Sequence, residues 1–201
     1  MSRQHLVITA CIAAALIVCS MLFVDVPLAR FIHALETPWL RSAGHVLEEL
    51  GKSHWVLIYC LVTIAIAWHF VREVAHRHIE FFLSVAISGI LANIIKVIAC
   101  RPRPMLMLTE GITQWDFLAF RMEYLWYSFP SGHATTGLAI AISGSVAWPK
   151  LRWLFWPLGI AIAVARMIVD AHYLSDVIAG SLLGAVVALQ VRQVRQVRRD
   201  T

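Results

Sequence analysis

The chain has 201 residues, of which 60% are apolar and 14% are Asp, Glu, Lys or Arg; 17 basic and 12 acidic side chains leave a formal net charge of +5. Soluble domains run at roughly 45–50% apolar and about 25% charged, so this chain has too little charge to coat a soluble globule, and its mean hydropathy of +0.73 agrees. Composition therefore excludes an ordinary cytosolic enzyme, a disordered chain and a disulfide-rich secreted module, and leaves an integral membrane protein with a single domain over residues 1–201.

A bilayer span needs about 20 mostly apolar residues. Residues 6–24 contain no ionisable side chain and qualify alone. Arg3 precedes them, but no clean small-x-small pattern follows, so the segment reads as a retained span and not a cleaved signal. Residues 25–54 mix apolar and charged side chains, and Phe31, Leu35, Trp39, Leu47 and Leu50 suggest short helices lying at the interface. Residues 55–71 carry only His69, and residues 79–99 span once Glu80 and Lys96 reach toward polar surroundings. The stretch 106–127 holds Trp115, Phe117, Phe120, Tyr124, Trp126 and Tyr127, a density that fits a headgroup-level belt better than a substrate pocket, although one stretch can serve as both. Residues 134–149 are apolar and short, 153–169 carry Arg166 near their end, and 177–191 complete an all-α bundle of six transmembrane helices. Gly180 and Gly184 form a GxxxG close-packing face on the last of these. Cys11, Cys19, Cys60 and Cys100 have the spacing of neither a metal site nor a disulfide framework and read as small hydrophobes.

Basic residues set the orientation. Arg3, then Arg72 and Arg77, then Lys150 and Arg152, and finally the tail 192–201 with Arg192, Arg195, Arg198 and Arg199 fall on one side of a six-span bundle. That side is expected to be cytoplasmic, with both termini inside. The tail reads as an anchor to anionic headgroups rather than a nucleic-acid site.

Ionisable residues inside or beside spans are costly unless partnered, and so are functional candidates. Here they collect on the outer face, in three groups. Lys96, Arg101 and Arg103 follow the third span, Ser131, Gly132 and His133 precede the fourth, and Arg166, Asp170, His172 and Asp176 join the last two. A cluster of cations where positive charge is otherwise scarce calls for an anion. Lys96 and Arg103 lie close to two helical turns apart, and Pro102 and Pro104 hold Arg103 on a rigid extended turn. An arginine fork matches phosphate oxygens, and lysine adds a point charge. Pro130-Ser131-Gly132-His133 opens a helix, whose unpaired N–H groups and dipole favour an anion. His172 and Asp176, four apart, are expected to hydrogen-bond, the carboxylate orienting an imidazole that can act as a nucleophile. Two histidines and several cations on one face suit phosphate-ester cleavage, one His attacking phosphorus and the other protonating the leaving oxygen. No carboxylate cluster of the kind that holds Mg²⁺ lies on that face, so metal-independent chemistry with no cofactor is expected.

At these residues the chain resembles the membrane branch of the type 2 phosphatidic acid phosphatases, relatives of the vanadium haloperoxidases. Their pattern is Lys-x6-Arg-Pro, Pro-Ser-Gly-His and Ser-Arg-x5-His-x3-Asp. Here it reads KVIACRPRP from Lys96 to Pro104, PSGH at 130–133 and ARMIVDAHYLSD from Ala165 to Asp176, so the match covers the core 96–176. The resemblance implies that His172 is the nucleophile and forms a phosphohistidine, that Asp176 orients it, and that His133 is the general acid. It implies further that Lys96, Arg103, Ser131, Gly132 and Arg166 cradle the phosphate of a lipid phosphate or diphosphate, without a metal. Ala165 stands where the family has Ser, removing a hydroxyl from the edge of the site. Arg101 and Asp170 lie outside the matched positions. Arg101 reads as an interfacial charge rather than a second phosphate contact, and Asp170 is expected to pair with Arg166 at i+4. The expected protein is a hydrolase of the bacterial inner membrane whose site faces the periplasm or exterior. Candidate substrates are undecaprenyl diphosphate, phosphatidylglycerophosphate, phosphatidic acid and lipid A phosphates, selected by segments 25–54 and 105–129. A phosphotransferase using the same phosphohistidine is the alternative. A non-catalytic lipid or phosphate transporter is a weaker one, since no internal repeat or broken helix pair is visible.

Overall fold

A computed structural model describes residues 3–35 and 37–200. Residues 1, 2, 36 and 201 lie outside the described residues, as do the side chains of Arg3, Arg198 and Arg199 in the expected basic flanks. The described residues form helices and connecting turns, with no strand among them. In chain order the helices are α1 (Arg3–Cys19), α2 (Asp25–Leu35), α3 (Pro38–Leu50), α4 (Ser53–Phe70), α5 (Arg72–Ala99), α6 (Pro104–Glu110), α7 (Gly132–Ala147), α8 (Arg152–Ile168) and α9 (Leu174–Asp200).

Among the described residues, five stretches are long and apolar enough to cross a membrane: Val7–Leu35, Pro38–Phe70, Arg72–Glu110, Pro149–Ile168 and Leu174–Val197. The sixth expected span is helical as α7, but with 16 residues it is shorter than these five. Its position explains its composition. α7 packs against α5, α8 and α9, and its Ala, Gly, Ser and Thr side chains are buried on most sides. Small residues let the neighbouring backbones come close. A Cβ on Gly137 would come within 2.5 Å of the Gly159 carbonyl oxygen on α8, and a Cβ on Gly180 or Gly184 of α9 would overlap the Ser131 or Thr135 carbonyl oxygen. The GxxxG pair is thus the face that presses α9 against the start of α7.

The first span does not stop at Val24. A π-helical turn at Ser20–Val24 carries α1 directly into α2, inserting extra backbone where Ser20 donates a hydrogen bond to Asp25 at 2.9 Å. Pro38 opens α3, its fixed φ suiting the first helical turn. α3 lies along α8 and turns at Gly51 into α4. This corner reaches the functional groups described next.

Candidate active site

α5 ends because Pro102 disfavours the helical conformation at Arg101. Cys100 takes a left-handed φ of 44° as the helix cap, its N–H bonded to the Lys96 carbonyl at 2.9 Å. Arg101 to Arg103 then leave the helical path before α6 begins at Pro104, and Arg103 is extended at φ −76° and ψ 157°. Arg103 faces a cavity, where its Nη1 donates to the Tyr124 hydroxyl at 2.9 Å. Arg101 faces the interior.

Ser131 caps α7, accepting from the Ala134 N–H at 3.4 Å, and its own N–H donates to the Asp176 carbonyl at 2.9 Å. Two motifs are thereby tied together through backbone. After α8, the N–H groups of Ala171 and His172 both donate to the Arg166 carbonyl, at 3.0 and 3.2 Å. The chain folds round Arg166 and brings His172 back beside it.

The result is a cavity of about 220 Å³ lined by Lys96, Arg103, Gly132, His133, Arg166 and His172, together with Tyr124, Thr136, Gly89, Asn93 and the corner from Gly51 to His54. Six of the eight site residues expected from sequence meet there. Ser131 and Asp176 stand behind the wall, joined to each other through backbone. A Cβ on Gly132 would lie 3.6 Å from Lys96 Nζ, an ordinary contact, so protein packing does not demand glycine there. What the bare Cα keeps open is access to the cavity.

His172 is buried, and the desolvation together with Arg103, Lys96, Arg166 and His133 holds its pKa well below the ordinary histidine value. It is therefore neutral and carries the lone pair a nucleophile needs. Its Nδ1 lies 3.7 Å from Asp176 Oδ2 and 3.5 Å from Ser128 Oγ. The expected direct His172–Asp176 hydrogen bond is thus not made. Asp176 Oδ2 is instead taken by the Ser128 hydroxyl at 2.6 Å and the Tyr173 N–H at 2.9 Å. With Nδ1 on the Asp176 side, Nε2 is the nitrogen turned to the cavity.

Arg101 is no interfacial charge, and it is no phosphate contact either. It is 0% exposed and lies under the site. Its Nη1 donates to Asp176 Oδ1 and to Ser175 Oγ (2.8 Å), and its Nη2 donates to Asp25 Oδ2 at 2.9 Å and Gln114 Oε1 at 3.0 Å. Tyr173 and Phe117 present ring faces to it, at 4.4 and 5.2 Å. Asp25 in turn accepts from Ser20, from Arg101 and from the Ser175 N–H and hydroxyl. One buried network therefore links the end of the first span to the carboxylate behind His172.

Asp170 does not pair with Arg166. α8 ends at Ile168, and Asp170 takes a left-handed φ of 53°, which breaks the i+4 register. Its Oδ2 accepts from Arg41 and lies beside His33, both at 2.9 Å, fixing α2 and α3 to the loop. Arg166 is met instead by Glu48 of α3, Nη1 to Oε1 at 2.5 Å, an ion pair lacking hydrogen-bond alignment. Its Nε has no hydrogen-bond partner among the described residues, although Arg166 is only 1% exposed. A buried guanidinium left in that condition suits an incoming anion. Glu48 also holds His133, whose Nε2 donates to its carbonyl at 3.1 Å. Ala165 is fully buried and does not line the cavity.

Glu48, Ser128 and Asp25 escaped the sequence reading, and Tyr124 was placed in the belt. Trp115, Phe120 and Tyr124 are indeed exposed, but Tyr124 also forms cavity wall, and Trp126 is buried with Cys100 and Leu106. Asp25 had a signal: it is the first ionisable residue after an unbroken apolar run, and such a residue needs a partner.

Residues 77–200 match the family model described as PAP2 superfamily. Lipid A 1-phosphatases of Rhizobium johnstonii and Rhizobium etli are 32% and 31% identical over 88% and 82% of this chain, which span 76% and 74% of those proteins. The undecaprenyl-diphosphatase BcrC of Bacillus subtilis is 29% identical over 66% of this chain and 64% of its own. Among solved structures, the phosphatidylglycerolphosphate phosphatase of Bacillus subtilis superposes with a TM-score of 0.70 at 18% identity, covering 95% of this chain and 94% of that one. LpxE of Aquifex aeolicus gives 0.64 at 20% identity, covering 84% and 94%. At those identities the two structures support the fold.

Proposed function

Because the chain belongs to the PAP2 superfamily, whose members among its relatives are membrane lipid phosphatases, we propose that it hydrolyses a lipid phosphate or diphosphate through a phosphohistidine on His172. The observation that carries this reading is the neutral, buried His172 facing the same cavity as Lys96, Arg103 and Arg166. His172 Nε2 attacks phosphorus, the bond to the leaving oxygen breaks with its electron pair on that oxygen, and His133, entering the step as the imidazolium with its Nε2–H on the Glu48 carbonyl, gives that oxygen its Nδ1 proton. Water then attacks the phosphohistidine, His133 takes a proton from that water, and phosphate leaves with the imidazole again neutral. Lys96, Arg103, Arg166 and the N–H groups at Gly132 and His133 stabilise the charge that builds on the phosphoryl oxygens. Asp176, held by Ser128 and Arg101, stabilises the imidazole as it becomes positive.

The reaction is proposed to need no metal. The site is proposed to face the periplasm or cell exterior from the bacterial inner membrane, in a bundle of six spans that includes α7. The test is phosphate release by detergent-purified protein with EDTA present, offered lipid A, undecaprenyl diphosphate, phosphatidylglycerophosphate and phosphatidic acid. Release from at least one lipid, lost in His172→Gln, is the expected result. Release abolished by EDTA, or retained in His172→Gln, refutes the mechanism.

A further inference from the structure

The corner between α3 and α4 occupies one defined side of the cavity. A Cβ on Gly51 would lie 2.8 Å from His133 Cδ2, and the Glu48 carbonyl holds His133 Nε2. Beyond Gly51, the residues Lys52, Ser53 and His54 line the same cavity as the phosphate cluster. α4 starts at Ser53 and runs 18 residues with no side-chain cap, so its first N–H groups and dipole add positive potential there. Arg166, buried with an unpartnered Nε, faces the same space. By volume, a cavity of about 220 Å³ is many times the roughly 10–15 Å³ that one water requires.

In the reading above, His133 protonates the leaving oxygen. Lys52, Ser53 and His54 line the same cavity as His133, so the group beyond that oxygen shares the cavity with them. For a lipid monophosphate that next atom is carbon, and for a lipid diphosphate it is a second phosphoryl group that still carries charge. We infer that Lys52, His54 and the start of α4 form a leaving-group anion site that selects lipid diphosphates over monophosphates of the same lipid; this rests on His172 and His133 acting as proposed. His172 Nε2 bonds to the terminal phosphorus and the bond to the bridging oxygen breaks. That oxygen keeps the electron pair, takes the His133 proton and departs as lipid monophosphate. Lys52 Nζ donates to Glu49 Oε2 at 2.5 Å and Trp55 Nε1 donates to Glu49 Oε1 at 3.1 Å. The second phosphoryl group takes the place of Glu49 on Lys52.

The experiment uses the full chain and two substrates with one tail, undecaprenyl diphosphate and undecaprenyl monophosphate. Lys52→Ala is expected to lower kcat/KM for the diphosphate about tenfold, the weight of one hydrogen bond to a charged group, and to change the monophosphate value less than about twofold. His54→Ala is expected to act in the same direction, and Lys52→Arg to restore the preference. Equal losses on both substrates, or an unchanged ratio, overturn the inference. A second readout does not depend on turnover: pyrophosphate should raise the melting temperature of wild type more than equimolar phosphate, and Lys52→Ala should erase that difference. Wild type that is stabilised by pyrophosphate in this way yet cleaves neither lipid keeps the anion site and refutes the catalytic reading. Equal stabilisation by the two anions in wild type overturns the site itself.

Discussion

Arg101→Met removes the cation that joins two buried carboxylates, Asp25 and Asp176. Removing one partner of a buried ion pair costs about 3–5 kcal/mol, because the other charge is left uncompensated. Here two carboxylates lose the same cation, so the cost lies at or above that range. Chains of this size shift by about 2–4 °C per kcal/mol, giving a fall in melting temperature of roughly 6–20 °C. Arg101→Lys keeps one charge but cannot reach Ser175, Asp176, Asp25 and Gln114 together, and should fall between wild type and Met. The assay is thermal unfolding in detergent followed by tryptophan fluorescence, with kcat and KM measured well below the transition. Loss of stability with a lowered kcat and near-constant KM is expected, since Arg101 acts through Asp176 and touches no phosphate. An unchanged melting temperature with a strongly raised KM would refute the reasoning and return Arg101 to the phosphate site.

Ser128→Ala deletes the hydroxyl that holds Asp176 Oδ2; kcat should fall about tenfold, in line with a hydrogen bond to a charged group, with little change in KM for the lipid. Gly132→Ala and Gly180→Ala should separate binding from folding. The first places a methyl 3.6 Å from Lys96 Nζ and should raise KM in a protein of near-wild-type melting temperature. The second drives a methyl into the Ser131 carbonyl and should lower the melting temperature itself. The depressed pKa of His172 has a signed consequence. Below the unfolded value of about 6.5 the unfolded chain binds a proton that the folded one does not, so stability should decline as pH falls through that value. His172→Gln should flatten the decline, and melting temperatures at pH 7.5 and 5.5 measure it. For the same reason kcat/KM should show no acid limb at the ordinary histidine position from this residue.

The helices and the cation–histidine cluster were legible in the sequence because both depend on local pattern. Lys96 and Arg103 are placed by a helix end and two prolines, and His133 by a helix start. What was not legible depended on contacts across the chain. Asp25 and Arg101 are 76 positions apart, and nothing in their local spacing marks them as partners. The i+4 rule failed at Asp170 because α8 had already ended, leaving its carboxylate to Arg41 and His33. Glu48 was hidden for a similar reason: it reaches Arg166 only because α3 packs on α8. The first span ran past Val24 because a π-turn, and not a helix break, accommodates Asp25.

The central claim is the covalent step on His172. Protein mixed with a lipid phosphate labelled with ³²P in the scissile group, quenched within milliseconds under alkaline conditions and digested for mass spectrometry, tests it most directly. The account predicts a phosphoryl group on the peptide carrying His172, stable to base, labile to acid and absent from His172→Gln. Label on Ser131 or His133, or full turnover with no labelled peptide at any quench time, would contradict it.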